Sequence, residues 1–390
     1  MKLRCGVLMI GLAFPLMSAH AAALSRTDQN VDYLFESGNN ANVGVAVVEP
    51  SVKGEVAEPD GFFIGRSTGN VGEDFLVPNA SVKAQATERI AVALGYDQPF
   101  AIDTKYAVNS AVLSYKGSDD VGGFEDILMA KTSGMEAHAK VHALTTIIKY
   151  TSPNNLSVYA GPVYYRISGN VQIPYAFYSV NLPKDGAWGY VAGVAYEKPE
   201  VALRTALTYR SSATYSKKAT ESFAGQTLSA DGLKFKLPQS VNLDFLTGIM
   251  PKTQLITGVR WVNWKQFKLE PAAYGSIFGA SLVSFPKDSW EFKFGVGRQL
   301  TEKLSGSAVL LYDTGNGAPV SPLGPPDKGY GINVGLKYAI NKNVDVSGGL
   351  QYNWYKNETV AVEGGGMVTP VAQFKNMNVL GAGVQLGVHF

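Results

Sequence analysis

Trp290, Phe292, Phe294 and Val296 alternate with Glu291, Lys293, Gly295 and Gly297. The same period runs through Tyr330, Ile332, Val334, Leu336 and Tyr338 against Gly331, Asn333, Gly335 and Lys337. A period of two puts one set on each face of an extended strand. The last residues, LGAGVQLGVHF, repeat it: Leu380, Ala382, Val384, Leu386, Val388 and Phe390 share one parity, and Gly381, Gly383, Gln385, Gly387 and His389 the other. Short polar turns punctuate such segments at Thr87-Glu88, Ser152 to Asn155, Glu197 to Glu200, Pro251-Lys252, Thr301 to Lys303 and Asn341 to Asn343. Longer irregular stretches lie between them, roughly residues 55–75, 101–136, 168–186, 213–233, 268–288, 315–328 and 357–373. Six short turns alternating with seven long loops predict fourteen strands, from near Asn42 to Phe390, with both ends on the short-turn side.

Short turns on one side, long loops on the other and an even strand count are the pattern of bacterial outer-membrane barrels. Aromatics at strand ends (Trp188, Tyr196, Trp290, Tyr330, Tyr338) suit interfacial girdles. A soluble β-sandwich also alternates, but it buries its apolar face. Lipid accepts spanning strands only when no edge is left unpaired. The expected fold is therefore all-β, a 14-stranded antiparallel transmembrane barrel over residues 41–390. A closing strand of this kind must pair with the first, and the terminal aromatic Phe390 resembles the signal by which the barrel-assembly machinery recognises its clients.

Composition sharpens the setting. At 46% hydrophobic and 17% charged residues, disorder is excluded. Lys2 and Arg4, the apolar run Gly6 to Met17 and Ala19-His20-Ala21 read as a signal peptide over residues 1–21. Cys5, the single cysteine, leaves with it. Removing Lys2 and Arg4 from a formal charge of +2 leaves the mature chain near neutral, against a nucleic-acid footprint. No run of 18 apolar residues predicts a helical span.

Several stretches resemble FadL-type long-chain fatty-acid transporters. LPQSVNLDFLTGIMPKTQLITGVRWVNWKQF is similar to a strand pair ending in a Trp-x-x-Phe element, here Trp264-Lys265-Gln266-Phe267. Residues 188–211 resemble the sixth and seventh strands, with Leu-Thr-Tyr-Arg-Ser at Leu207 to Ser211, and residues 330–352 the twelfth and thirteenth. The resemblance implies passive uptake of fatty acids or other hydrophobic compounds: loop capture, lumenal binding, and lateral release into the lipid at a third-strand kink, with an N-terminal plug in the bore. In RIAVALGYDQPF the alternation breaks at Gly95, Tyr96, Asp97, Gln98 and Pro99, the candidate lateral opening; proline lacks a ladder donor and glycine weakens pairing. An ordinary strand end is the alternative. The chain departs from the family in lacking Asn-Pro-Ala and in having only a short segment, 22–40, before the first strand. Tyr33, Leu34 and Phe35 are its candidate plug residues.

A carboxylate leaving water needs a cationic partner. Parity turns Arg89, Arg204, Arg260, Lys293 and Lys337 inward, together with Glu291 and Asp345. Arg204 and Arg260 are the head-group candidates; the alternative is charge pairing across the lumen. Phe100, Ile102, Val262 and Trp264 are candidates for the acyl-chain wall. The loop stretches 171–182 and 271–286 are apolar, and 124–135 has the pattern of a short amphipathic helix; such surfaces capture ligands or pack into a cap. His138 and His142 share one strand face but lack a carboxylate at metal spacing, so no metal or cofactor is expected. No G-x-S-x-G element or phosphate loop suggests an enzyme. Expected partners are a long-chain fatty acid or other hydrophobic small molecule and outer-membrane lipid, for a monomer. Alkane or aromatic-hydrocarbon uptake, and a general porin, are the alternatives.

Overall fold

The computed structural model describes residues 24–56, 67–107, 114–116, 132–229, 232–317 and 320–390. Fourteen antiparallel strands close on themselves. In chain order they are β1 (Asn40–Ser51), β2 (Phe75–Gln85), β3 (Ile90–Lys105), β4 (Glu136–Thr151), β5 (Leu156–Ile173), β6 (Tyr178–Lys198) and β7 (Leu203–Arg210). They continue as β8 (Ser240–Met250), β9 (Thr253–Val262), β10 (Ser289–Gln299), β11 (Leu304–Asp313), β12 (Gly329–Ala339), β13 (Val344–Tyr355) and β14 (Asn378–His389). Each pairs with its sequence neighbours, and β14 pairs with β1 along its whole length, from Asn40↔His389 to Ser51↔Asn378. The Phe390 N–H then donates to Asn39 O at 3.1 Å. No edge of the ring is left for lipid to meet, except at one place described below.

The alternation does what its period dictates. Val43, Val45 and Val47 on β1, Phe292 and Phe294 on β10, and Leu380, Val384 and Leu386 on β14 are exposed on the outer face. Their sequence neighbours Asn42, Glu291 and Gly387 face the lumen, buried. Trp188, Tyr196, Trp290, Tyr330 and Tyr338 are all exposed at the ends of the outer apolar band, as girdle residues are. All six short turns fall where the polar clusters put them.

Two expectations are corrected. Residues 168–186 are not a long loop: β5 and β6 run on as one tall hairpin, joined by a 3-10 turn at Pro174–Ala176 with Phe177 left-handed at φ 51°. Val171, Ile173, Tyr178, Val180 and Leu182 keep alternating, and all are buried. Their apolarity belongs to a strand face rather than to an exposed loop. Arg89 does not point inward; it is exposed in the β2–β3 turn.

On the long-loop side, the connections pack on one another. A hairpin, Thr220–Phe223 with Gln226–Ser229, extends the edge of β6. Its buried Glu221 accepts the N–H groups of Ala273 and Tyr274 (3.1 and 3.0 Å) and the Tyr178 hydroxyl (2.7 Å), seating the short helix α1 (Ala272–Phe278). Residues Lys53–Val56, Ser67–Asn70, Glu358–Gly364 and Met367–Phe374 form a second small sheet from two loops. Most of the 124–135 stretch lies outside the described residues.

Candidate functional site

The described N-terminal segment, residues 24–39, lies in the lumen, and the barrel wall holds it largely by its backbone. Arg260 Nη1 donates to Thr27 O (3.0 Å), Asn242 Nδ2 to Asp28 O (2.9 Å) and Arg210 Nη2 to Gln29 O (3.1 Å). Three consecutive carbonyls are thus satisfied by side chains from β9, β8 and β7, as buried backbone acceptors must be. Arg204 forms an ion pair with Asp32 and stands 4.8 Å from the Phe35 ring centroid. Lys293 reaches Asp244 at 2.5 Å and Asp28 at 3.9 Å. Burial pushes the Asp28 carboxyl up to about 6, against the pull of Lys293 and Arg260. Leu34 is fully buried, and Phe35 meets the Tyr159 ring edge-on at 5.8 Å. Tyr33 stands over Gly95: a Cβ there would lie 2.5 Å from the Tyr33 hydroxyl, so a larger residue would push the ring from this seat.

β3 does not end at the break in its pattern. It continues to Lys105, but its register on β4 shifts between Asp97↔Ala143 and Phe100↔Val141, leaving Gln98 and Pro99 as a bulge. On the other side, β2 pairs with β3 only from Ala80↔Tyr96 to Gln85↔Ala91. Beyond Tyr96, the outer half of β3 parts from β2. Pro78, which has no N–H, sits in the stretch of β2 that pairs with β1 through Val45 but not with β3. The N-terminal segment takes β2's place: Arg26 N–H donates to Pro99 O and Ala101 N–H to Leu24 O, both at 2.9 Å. The Arg26 guanidinium stacks 3.4 Å from the Phe75 ring centroid and pairs with Asp103 at 3.7 Å. Thr27 Oγ1 donates to Asp97 Oδ2 at 2.7 Å.

Outward of the segment lies an aromatic cluster. Phe100 and Trp264 meet edge-on at 5.6 Å, and Trp264 packs on Phe285 (5.1 Å) and Phe267 (6.1 Å). Val262 is fully buried in the same core. Trp264 Nε1 is buried and has no hydrogen-bond partner among the described residues. Ile102 faces a separate small cavity of about 60 Å³ shared with Arg26, Phe75 and Val52. Toward the short turns, a cavity of about 1290 Å³ runs from Glu302, Lys303 and Lys342 up to Asp32 and Phe35. It also reaches Ala80, Gly95, Tyr96 and Asp97, so the lower lumen and the strand break share one space.

The sequence candidates therefore fall into groups. Tyr33, Gly95, Tyr96 and Asp97 come together at the break; Phe100, Val262 and Trp264 come together above it; Ile102 belongs to the same buried core but lines the small cavity beside Arg26. Arg204 and Arg260 both engage the N-terminal segment, and Arg260 also pairs with Glu291 at 3.5 Å. Other inward charges pair along the wall, between neighbouring strands for Lys337–Asp345 (3.1 Å) and from β4 to β6 for Lys149–Glu197 (3.8 Å). His138 and His142 lie on the outward face of β4. Sequence reading missed Thr27, Asp28, Asp32, Asn242 and Arg210. Carbonyl acceptors carry no side-chain signature; only Arg210, inside Leu207 to Ser211, and Asn242, inside the stretch that begins Leu237-Pro238, lay within segments noted in the sequence. The Leu207 to Ser211 motif places Thr208 on the Tyr159 hydroxyl (2.6 Å) and Arg210 on Gln29.

The family described as outer membrane protein transport protein (OMPP1/FadL/TodX) matches residues 22–389. The fold is similar to that of a Pseudomonas aeruginosa FadL homologue, with a TM-score of 0.71 over 92% of each chain at 14% identity. It is similar to the Pseudomonas putida toluene transporter TodX, with a TM-score of 0.64 over 97% of this chain and 98% of that one, also at 14% identity. A monoaromatic hydrocarbon channel, CymD, gives 0.56 over 94% of each chain at 13% identity. No curated protein matches the sequence.

Proposed function

The chain belongs to the OMPP1/FadL/TodX family of outer-membrane transport proteins, which are channels and not enzymes, and from that premise we propose that it takes up long-chain fatty acids passively. The observation that carries this reading is the strand break sealed by the chain's own N-terminal segment. Exposed Ile277, Met367 and Val368 at the loop tips offer a hydrophobic ligand its first contact. The acyl chain then enters the aromatic cluster of Phe100, Val262 and Trp264, each methylene removed from water contributing about 0.8 kcal/mol. Asp32 on Arg204 is a carboxylate on a guanidinium, the pairing a fatty-acid head group would make. A ligand carboxylate that displaces Asp32 frees the segment from one anchor. With the segment withdrawn from β3, residues Gly95 to Pro99 border an opening between β2 and β3 through which the ligand leaves sideways. Tyr33, Leu34 and Phe35 act as the plug in the closed state. Phe390, exposed at the end of β14, is the proposed contact for the barrel-assembly machinery.

A second reading, uptake of uncharged hydrocarbons, is favoured by one observation: Arg204, Arg210 and Arg260 are all engaged by the N-terminal segment. A ligand without a carboxylate crosses the same cluster without exchanging any of them. The test is fatty-acid binding to the purified barrel in nanodiscs, with an alkane and an aromatic hydrocarbon as competitors. Saturable binding weakened by Arg204→Ala supports the fatty-acid reading. Equal displacement by an alkane moves the substrate to hydrocarbons. A steady ion conductance with no saturable binding overturns both.

A further inference from the structure

Along the outer face of β4–β6, side chains stand in rows. Leu144, Tyr164 and Trp188 are direct cross-strand partners in the upper girdle, and Tyr164 and Trp188 pack at 4.9 Å. Two residues farther along each strand, about 7 Å nearer the long loops, the next row is His142, Arg166 and Gly186. Above it are Lys140 on β4 and Lys184 in the bulge where β6 shifts register on β5. Lys140, Arg166 and Lys184 are all exposed. None forms an ion pair among the described residues, although the inward cations Arg204, Arg260, Lys293 and Lys337 all do, and nearby Lys217 is paired with Asp185 at 3.2 Å. The pairs His142↔Arg166 and Lys140↔Ser168, with Lys184 in the adjacent bulge of β6, set the three cations on neighbouring steps of one outer face. The Tyr164 ring lies over Gly186: a Cβ there would lie 2.5 Å from the Tyr164 hydroxyl, so this hydroxyl stands at the level of Arg166.

We infer that Lys140, Arg166 and Lys184 bind the phosphorylated headgroup of an outer-leaflet lipid. The three cations sit on the lipid-facing wall, one step outside the aromatic girdle. That is the depth at which headgroup phosphates meet a barrel whose acyl-level surface is Leu144 and Trp188. A guanidinium fork flanked by two ammonium groups, with a phenol beneath, supplies convergent donors for phosphate oxygens, and the girdle rings supply the surface for the acyl chains. Among the described residues the nearby carboxylates are taken by other cations, Asp185 by Lys217 and Glu136 by Lys105, and none is ion-paired with these three. The lipid also seats beside the strand break, since His142 Nδ1 shares a hydrogen bond of 2.8 Å with the Tyr96 hydroxyl and lies 3.3 Å from Gln98 Nε2.

The experiment is native mass spectrometry of the full-length mature barrel after incubation in detergent with bis-phosphorylated lipid A or its dephosphorylated counterpart. The parent protein should retain the phosphorylated lipid and not the dephosphorylated one. The triple variant Lys140→Gln, Arg166→Gln, Lys184→Gln should bind at least tenfold less, and the single variant Arg166→Gln should fall between. A control at the opposite rim, Lys303→Gln with Lys342→Gln, should bind like the parent. Unchanged heat-modifiable migration on gels certifies the fold of each variant. Equal retention by the parent and the triple variant overturns the site. So does equal retention of the dephosphorylated lipid, which leaves only acyl-chain adhesion. Displacement by inorganic phosphate at matched phosphate concentration also overturns it, in favour of a free-anion site.

Discussion

Thr27 donates its hydroxyl to Asp97 across 2.7 Å. The bond joins the N-terminal segment to the last β3 residue before the Gln98-Pro99 bulge, where β3 has already parted from β2. The segment and the wall are thereby one device: what fills the lumen also completes the strand pairing that the break interrupts. A hydrogen bond to a carboxylate contributes about 1.5–3 kcal/mol. Thr27→Val should therefore speed amide exchange at Ala101, whose N–H donates to Leu24, by roughly tenfold or more. Hydrogen exchange read by mass spectrometry checks it, and unchanged protection at Phe100 and Ala101 would sink the coupling.

Asp32 and a ligand carboxylate compete for Arg204 if fatty acids are the substrate. Asp32→Asn should raise fatty-acid affinity by about tenfold, the equivalent of roughly 1.4 kcal/mol, while Arg204→Ala lowers it. Alkane affinity should move with neither. Calorimetry on the two variants with both ligands separates the cases; a parallel shift for alkane and acid would assign Arg204 to holding the segment alone.

Phe100 and Trp264 touch edge-on inside a closed cluster. Trp264→Ala should cost about 3–5 kcal/mol of stability and weaken binding of any hydrophobic ligand. Trp264→Phe keeps most of the packing and should retain most of the binding. Thermal unfolding alongside ligand titration is the check, and full binding by a stable Trp264→Ala barrel would remove this cluster from the path.

Asp28 carries the pH dependence of the closed state. Its carboxyl is raised by burial to about 6, Lys293 and Arg260 lowering it and Asp244 and Asp32 raising it further. A folded value above the unfolded one means that the seated segment holds the proton more tightly than the released one. Seating is then strongest below about pH 4 and weakens as pH rises through 6. A shift of this size corresponds to about 3 kcal/mol. A spin label at position 30 should become more mobile between pH 4 and 7, and Asp28→Asn should abolish the change. A label equally immobile across that range argues against it.

The two-residue period by itself determined the barrel. It set the strand number, the turn side, the outward apolar band and the inward charges of β9, β10 and β13, because a strand offers only two faces and lipid demands one of them. Its failure at Gly95 to Pro99 marked where the wall is irregular, since proline and glycine act through the backbone, which sequence reports directly. Reading by period failed at two places: at 168–186, where apolar loop composition outweighed an alternation that in fact continues, and at Arg89, where parity was carried past the strand end into an exposed turn. What tertiary structure alone decided is who meets whom across the lumen. Arg204 and Arg260 were legible as inward cations, yet nothing in their own strands reveals that Asp32, Thr27 and Gln29 would occupy them. Those contacts join residues up to 233 positions apart, and several end on carbonyl oxygens common to every residue. The outward cluster of Lys140, Arg166 and Lys184 has the same cause: cross-strand register and one β-bulge bring the three together, and no linear spacing does.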